Sequence, residues 1–190
     1  MKNIKITLMV ILIILLTFDQ ILSNTNSDIV ELKIDSPILI DSSVFLYQAG
    51  DFFLGGQPEM ETLDTLESLG VTLIINIRTE QEVITQKSTG YDEESYVIKK
   101  GLDYIHVPIG GVAGYTPEAI HAINNSIKLT KGKVLIHCRS AGRATLAWMA
   151  WLIRYNNYSI DDAVNLGKMA RFTFPLEELL GFPVSMGKSE

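Results

Sequence analysis

Residues 133–145 read Lys133-Val-Leu-Ile-His-Cys-Arg-Ser-Ala-Gly-Arg-Ala-Thr145, and this stretch decides the fold. Lys133 to His137 predicts a short buried strand, and Arg143 to Asn156 predicts a helix. Between them lie a cysteine and a small, glycine-containing turn closed by an arginine. A chain running from strand through such a turn into a helix directs its backbone N–H groups into one concavity at the helix N-terminus. That concavity suits a bound oxyanion. A thiol in the same place feels positive potential, which favours its thiolate. The stretch therefore proposes an anion cradle with Cys138 as the nucleophile at its base.

Cys138 is the only cysteine in the chain. A lone cysteine is commonly a small buried hydrophobe. Three features weigh against that reading here. Polar residues flank the thiol, with His137 before it and Arg139 and Ser140 after it. Arg139 and Arg143 both fall within five residues. The Ser140-Ala141-Gly142 turn is small enough for close backbone approach.

With 190 residues the chain is long enough for one domain with a sizeable core. The N-terminus has its own character. Lys2 and Lys5 precede an apolar run from Ile6 to Phe18, which Asp19 breaks before a small residue at Ser23. This is the layout of a secretory signal peptide over residues 1–23, and the run is short for a membrane span. An uncleaved N-terminal membrane anchor is the alternative. Export to the periplasm or the medium follows as the expectation, with no stable membrane span after cleavage. Without residues 1–23 the net charge is −7, from 14 basic and 21 acidic residues. Such a surface is not built for nucleic acid or anionic membrane. A free thiol in an oxidising compartment is a liability, so its presence there favours chemistry over packing.

Residues 24–43 are polar and mixed and read as a linker and lead-in to a single domain over 44–190. Val44 to Tyr47 and Phe52 to Leu54 predict a hairpin around Ala49-Gly50-Asp51. Met60, Leu63, Leu66 and Leu69 recur at helical spacing up to Gly70, a C-cap glycine. Val71 to Ile77 is a continuous apolar run that predicts an interior strand. Residues 78–100 predict one or two short helices, and Asp103 to Ile109 a further strand containing Pro108. Gly110 to Tyr115 is a loop, and Thr116-Pro117-Glu118 opens a helix extending to about Lys131. Ser159 opens the last long helix. Strands alternating with helices predict an α/β fold with a mostly parallel central sheet flanked by helices. Ligands in such folds gather at the carboxyl ends of strands, where Cys138 lies.

These residues resemble the cysteine-dependent protein tyrosine/dual-specificity phosphatases, which carry a His-Cys pair, a short loop and an arginine between a strand and a helix. Phe53-Leu-Gly-Gly-Gln-Pro58, Thr72-Leu-Ile-Ile-Asn-Ile-Arg78, Tyr104-Ile-His-Val-Pro108 and Thr116-Pro-Glu118 resemble the bacterial, beta-lactamase-hydrolase-like branch of that superfamily. The likeness spans about Val44 to Asn156 and implies a phosphatase-like three-layer sandwich. It also implies roles by position. Cys138 attacks phosphorus and forms a phosphocysteine, which water hydrolyses. The backbone of Arg139, Ser140, Ala141, Gly142 and Arg143, with the Arg143 guanidinium, holds the phosphoryl oxygens. His137 and Thr145 support the loop. No metal or cofactor is implied, and the partner is a phosphorylated substrate.

The sequence departs from that pattern in three places. Four residues separate Cys138 from Arg143, where five are usual in the superfamily. Ala144 stands where Ser or Thr commonly follows the arginine, with Thr145 one place on. The loop from Gly110 to Tyr115 lacks the aspartate that serves the family as general acid. Glu118 is the substitute candidate, and an acid stabilising the first turn of its helix is the simpler account. Arg78 occupies a family position, and pairing with Glu80 or Glu82 is the alternative reading. Two other functions remain open. A rhodanese-like sulfurtransferase with a Cys138 persulfide fits the short loop and the resemblance of Ile75 to Glu82 to that family. It lacks the Gly-His-Ile-Pro-Gly-Ala segment. A non-catalytic phosphate-binding module fits the missing acid.

Overall fold

The interior strands follow from side-chain alternation. In Leu73-Ile74-Ile75, in Val134-Leu135-Ile136 and in Phe52-Phe53-Leu54, every side chain is buried, because successive residues point to opposite faces of a sheet covered on both sides. The structure is a computed structural model describing residues 31–172 and 176–184. The 1–23 segment lies outside the described residues. In chain order the elements are β1 (Ile38–Asp41), β2 (Leu46–Ala49), β3 (Phe52–Gly55), α1 (Met60–Ser68), β4 (Val71–Asn76), α2 (Glu80–Ser88), α3 (Glu93–Lys99) and β5 (Asp103–His106). A 3-10 turn (Gly111–Ala113), α4 (Pro117–Ile127), β6 (Lys133–His137), α5 (Gly142–Tyr155), α6 (Ile160–Met169) and α7 (Leu176–Leu180) follow.

The strands form one sheet in the order β1-β2-β3-β6-β4-β5. β3, β6, β4 and β5 run parallel, and β1 and β2 join antiparallel at the edge. One face packs Phe52, Leu54, Leu73, Ile75, Val134 and Ile136 against the helices that follow β5, with Trp148 and Trp151 at the centre. The Phe52 and Trp151 rings are 4.9 Å apart. The other face packs Phe53, Ile74 and Leu135 against Leu63 and Leu66 of α1 and Val97 of α3. Each such buried side chain contributes about 1.5–3 kcal/mol. The result is an α/β three-layer sandwich. Among the described residues no helix is long and apolar enough to cross a membrane.

The structure differs from the sequence expectations at several boundaries. The lead-in contributes β1, whose Ile38, Leu39 and Ile40 are largely exposed, so the edge carries no alternating buried signal. Its register with β2 shifts between Leu39 and Asp41. Regular pairing in β5 stops at His106, although Val107 and Ile109 still donate to Asn76 and Ile77. Pro108 between them has no N–H to give. α4 ends near Ile127, short of Lys131, and α7 follows the helix opened by Ser159. Leu69 lies outside α1 and is exposed.

Candidate active site

The loop after β6 is built by extending the β3–β6 ladder past the strand ends. Cys138 N donates to Gly55 O at 3.1 Å, and Gln57 N donates to Arg139 O at 3.3 Å. Gly56 faces Ser140 as an isolated bridge. A Cβ on Gly56 would lie 2.6 Å from Val44 O and 3.1 Å from Arg139 O, so only glycine lets the Gly55-Gly56 backbone brace the loop this closely. Ala141 then adopts φ +66°, unusual without a glycine, and turns the chain into α5. No side chain caps the start of this 14-residue helix. Its first N–H groups therefore remain available to an anion. Cys138 is buried at this turn and Arg139 is exposed beside it.

Arg143, one residue into α5, is held on two sides. Its Nη2 donates to both oxygens of the Glu82 carboxylate, at 2.7 and 2.8 Å, and Nη1 donates to Ile109 O at 2.9 Å. Glu82 is aimed by the start of α2. Thr79 and Glu82 form a reciprocal capping box there, and the Thr79 N–H and hydroxyl both donate to Glu82 Oε2. Burial pushes the Glu82 carboxyl up, but donation from Arg143 and Thr79 outweighs it and holds the group below its ordinary value.

Arg78 makes no ion pair with Glu80 or Glu82, the alternative reading, among the described residues. Its guanidinium donates to the side-chain oxygens of Gln57 and Gln86 and to the Glu82 carbonyl. The Glu82 carboxylate is committed to Arg143 instead. Arg78 thus ties α2 to the turn that braces the loop.

Beyond Ile109, whose carbonyl accepts from Arg143, the chain runs through Gly110 to Gly114, with positive φ at Gly110, Gly111 and Gly114. Gly111 lies so near Thr79 that an added Cβ would sit 3.1 Å from Thr79 Cγ2. This loop carries no carboxylate, and its tip, Val112, is fully exposed. Glu118 is exposed on the first turn of α4, where Thr116 caps the helix by accepting from Ala119 N. No polar partner meets Glu118 among the described residues, which fits a helix-dipole role. Thr145 is fully buried on α5, and its hydroxyl has no hydrogen-bond partner among the described residues.

Alternation along β6 separates the signature pair. Cys138 packs with Ile136 on the face covered by α5, whereas His137 follows Leu135 toward the α1 and α3 face. There His137 Nε2 is 2.9 Å from Glu93 Oε1. Sequence reasoning brought Cys138, Arg139, Ser140, Ala141, Gly142, Arg143 and Thr145 to one turn. It missed the supporting roles of Glu82, Gln57, Asn76 and Glu93. Gln57 and Asn76 lay within the stretches that resemble the family, and Glu82 carried the Thr79-x-x-Glu82 capping pattern, whereas Glu93 carried no signal.

A mostly parallel sheet that delivers a buried cysteine into an uncapped helix start, with an arginine on the first turn of that helix held by a carboxylate, is the arrangement of the cysteine-dependent phosphatase class. Comparison with known proteins agrees. The family model for the dual specificity phosphatase catalytic domain matches residues 52–180. The beta-lactamase hydrolase-like protein of Xylella fastidiosa is 33% identical over 96 residues, covering 50% of this chain. The chain spans only 22% of that relative's length. Tk-PTP in its active form has the same fold, with a TM-score of 0.58 at 21% identity, covering 77% of this chain and 97% of that one. P. aeruginosa TpbA in complex with pTyr is similar at a TM-score of 0.54 and 14% identity, covering 70% of this chain and 76% of that one. The chain belongs to the dual specificity phosphatase catalytic-domain family.

Proposed function

We propose that the protein hydrolyses a phosphomonoester through a phosphocysteine at Cys138. The observation that carries this reading is the clamp on Arg143. Its guanidinium is fixed by Glu82 and Ile109 O at the start of the same uncapped helix that follows Cys138. In this reading the Cys138 thiolate attacks phosphorus and the P–O bond to the alcohol breaks. The N–H groups from Arg139 to Arg143 and the Arg143 guanidinium hold the three phosphoryl oxygens. Water then cleaves the S–P bond and releases phosphate, restoring the thiolate. Thr145, with its uncommitted buried hydroxyl, is the group we assign to assist departure of the thiolate.

The glycine loop offers the leaving oxygen no carboxylic acid, so the substrate class that fits is an aryl phosphate of the phosphotyrosine type. TpbA, whose structure holds pTyr, has a similar fold. The basic start at Lys2 and Lys5 and the apolar run from Ile6 to Phe18 support export to the periplasm or medium. N-terminal sequencing of the protein recovered from cell fractions tests that assignment, and recovery of an intact Met1 in the cytoplasm would overturn it.

Purified protein should release phosphate from para-nitrophenyl phosphate, and Cys138→Ser should abolish release. Denaturing quench of the native protein with ³²P-labelled substrate should trap label on Cys138. Thiocyanate formation from thiosulfate and cyanide, without phosphate release, would overturn the reading in favour of a persulfide carrier. Saturable phosphate binding with neither activity would overturn it in favour of a binding module.

A further inference from the structure

Glu93 is an acid at 4% exposure on a seven-residue helix whose neighbours Glu94 and Ser95 face solvent. A buried carboxylate needs partners, and Glu93 has two hydrogen-bond donors and one close cationic-type neighbour, from three separate segments. Its Oε2 accepts from Asn76 Nδ2 of β4 at 3.1 Å and from Gln57 Nε2 of the bracing turn at 3.3 Å. Its Oε1 lies 2.9 Å from Nε2 of the fully buried His137. That 2.9 Å approach is a charge contact rather than a hydrogen bond, because neither Glu93 Oε1 nor His137 Nε2 has a hydrogen-bond partner among the described residues. Nδ1 of the ring likewise has no hydrogen-bond partner among the described residues. Glu93 is the ion-pair partner recorded for the buried ring among the described residues.

Each of these partners reaches the phosphate loop. His137 is the residue before Cys138. Gln57, whose side chain bonds Glu93, donates from its backbone N–H to Arg139 O. Asn76 Oδ1 accepts from Arg78 N at 2.9 Å, and Arg78 in turn bonds Gln57. The other titratable groups facing the cluster are Tyr104 from β5, whose Oη lies 2.9 Å from Asn76 Nδ2, and Tyr91 ahead of α3. Burial first, and then the charge of Glu93, push both phenols well above their ordinary range, so they stay neutral.

We propose that Glu93 is a positioning residue for the reaction, whose buried carboxylate orients His137 and, through Gln57, the backbone of the loop that holds Cys138. This rests on Cys138 being the nucleophile, but it is tested on the thiol itself. The rate of Cys138 alkylation by iodoacetamide is measured against pH in the full chain, beside turnover of para-nitrophenyl phosphate. Glu93→Gln should move the alkylation midpoint upward by roughly half a pH unit or more, because donors aimed at the thiolate lose their alignment. It should lower kcat by about tenfold or more with KM changed little. The direction discriminates, because loss of a negative charge without any positioning effect would move the midpoint down. The double variant Glu93→Gln/His137→Gln should lose less than the two single losses combined, because the share that runs through the ring is removed only once and the share through Gln57 remains. Glu94→Gln, on the exposed side of α3, should change neither readout. Should Glu93→Gln fail to fold, Glu93→Asp takes its place, and its shorter reach should move the midpoint in the same upward direction. A folded Glu93 variant whose midpoint is unmoved or lowered overturns the proposal, as does strict additivity with His137→Gln. An inactive parent protein with a normal alkylation profile would overturn the phosphatase reading and leave the alkylation arm decisive for Glu93.

Discussion

The Glu82 carboxylate grips Arg143 Nη2 with both oxygens, at 2.7 and 2.8 Å, across 61 residues of chain. Removing it leaves the guanidinium with one partner, Ile109 O. The pair is partly exposed, so its loss should lower stability by only about 0.5–1 kcal/mol. Its catalytic effect should be larger, because in the proposed reaction Arg143 stabilises charge that develops only during transfer. Glu82→Ala is expected to lower kcat on an aryl phosphate by about tenfold or more, with urea unfolding reporting a loss of only about 1–2 kcal/mol from the ion pair and the capping box together. Equal losses in kcat and in the folded fraction would show that the clamp matters to folding alone.

The same carboxyl makes stability depend on pH. Its proton affinity is lower in the folded chain than in the unfolded one. Its contribution is therefore complete above the unfolded carboxylate range, near pH 4.3, and is lost as pH falls through the depressed folded value. Urea unfolding measured between pH 7 and pH 3 should show the native protein losing more stability than Glu82→Gln. The two curves should converge at the acid end. Parallel curves would remove Glu82 from the set of groups that titrate on unfolding.

The parts of this molecule that the sequence made legible are those where local pattern and tertiary environment agree. Val71 to Asn76 and Lys133 to His137 are buried on both faces, so their apolar runs are continuous and unambiguous. β1 was hidden because Ile38-Leu-Ile40 lies at an exposed edge, where no face selects an alternation. α2 has no buried residue at all, and only its capping box marks it. The site divides in the same way. Cys138 and Arg143 share one turn, so their spacing is local information. Glu82 and Glu93 are ordinary surface acids by sequence, and only the placement of α2 and α3 beside β4 and β6 selects them from their acidic neighbours.

Gly56 should tolerate no side chain without disturbing the loop. A methyl there would press on Val44 O and Arg139 O, both backbone atoms that cannot rotate away. Gly50 is an informative comparison. An added Cβ there would meet Lys33 O at 2.3 Å, and φ is +70°, but the contact is with the lead-in segment. Both alanine variants should lose stability, on the order of 2 kcal/mol each. Only Gly56→Ala should also lower kcat per folded molecule. Active-site titration combined with thermal unfolding checks this, and equal specific activity in the two variants would show that the Gly56 brace does not shape the site.

The glycine loop sets the last expectation. Where a family member would present an acid, Gly110 to Gly114 presents an exposed valine, and Glu118 points no polar contact toward any described residue. Glu82 is already ionised by its bonds to Arg143 and Thr79 and cannot serve as a proton donor near neutral pH. In the proposed reaction the leaving oxygen therefore departs as an anion or takes its proton from water. Positioned general acids contribute about 10²–10⁴-fold to such steps, so that factor should be missing for alcohols of high pKa and unneeded for phenols of low pKa. Across a series of aryl and alkyl phosphates, log kcat/KM should fall steeply with leaving-group pKa, and alkyl phosphates should react at least about 100-fold more slowly than nitrophenyl phosphate. Glu118→Gln should change this slope little. A flat dependence that turns steep in Glu118→Gln would instead identify Glu118 as the general acid, reached by closure of the 110–114 loop over the bound substrate.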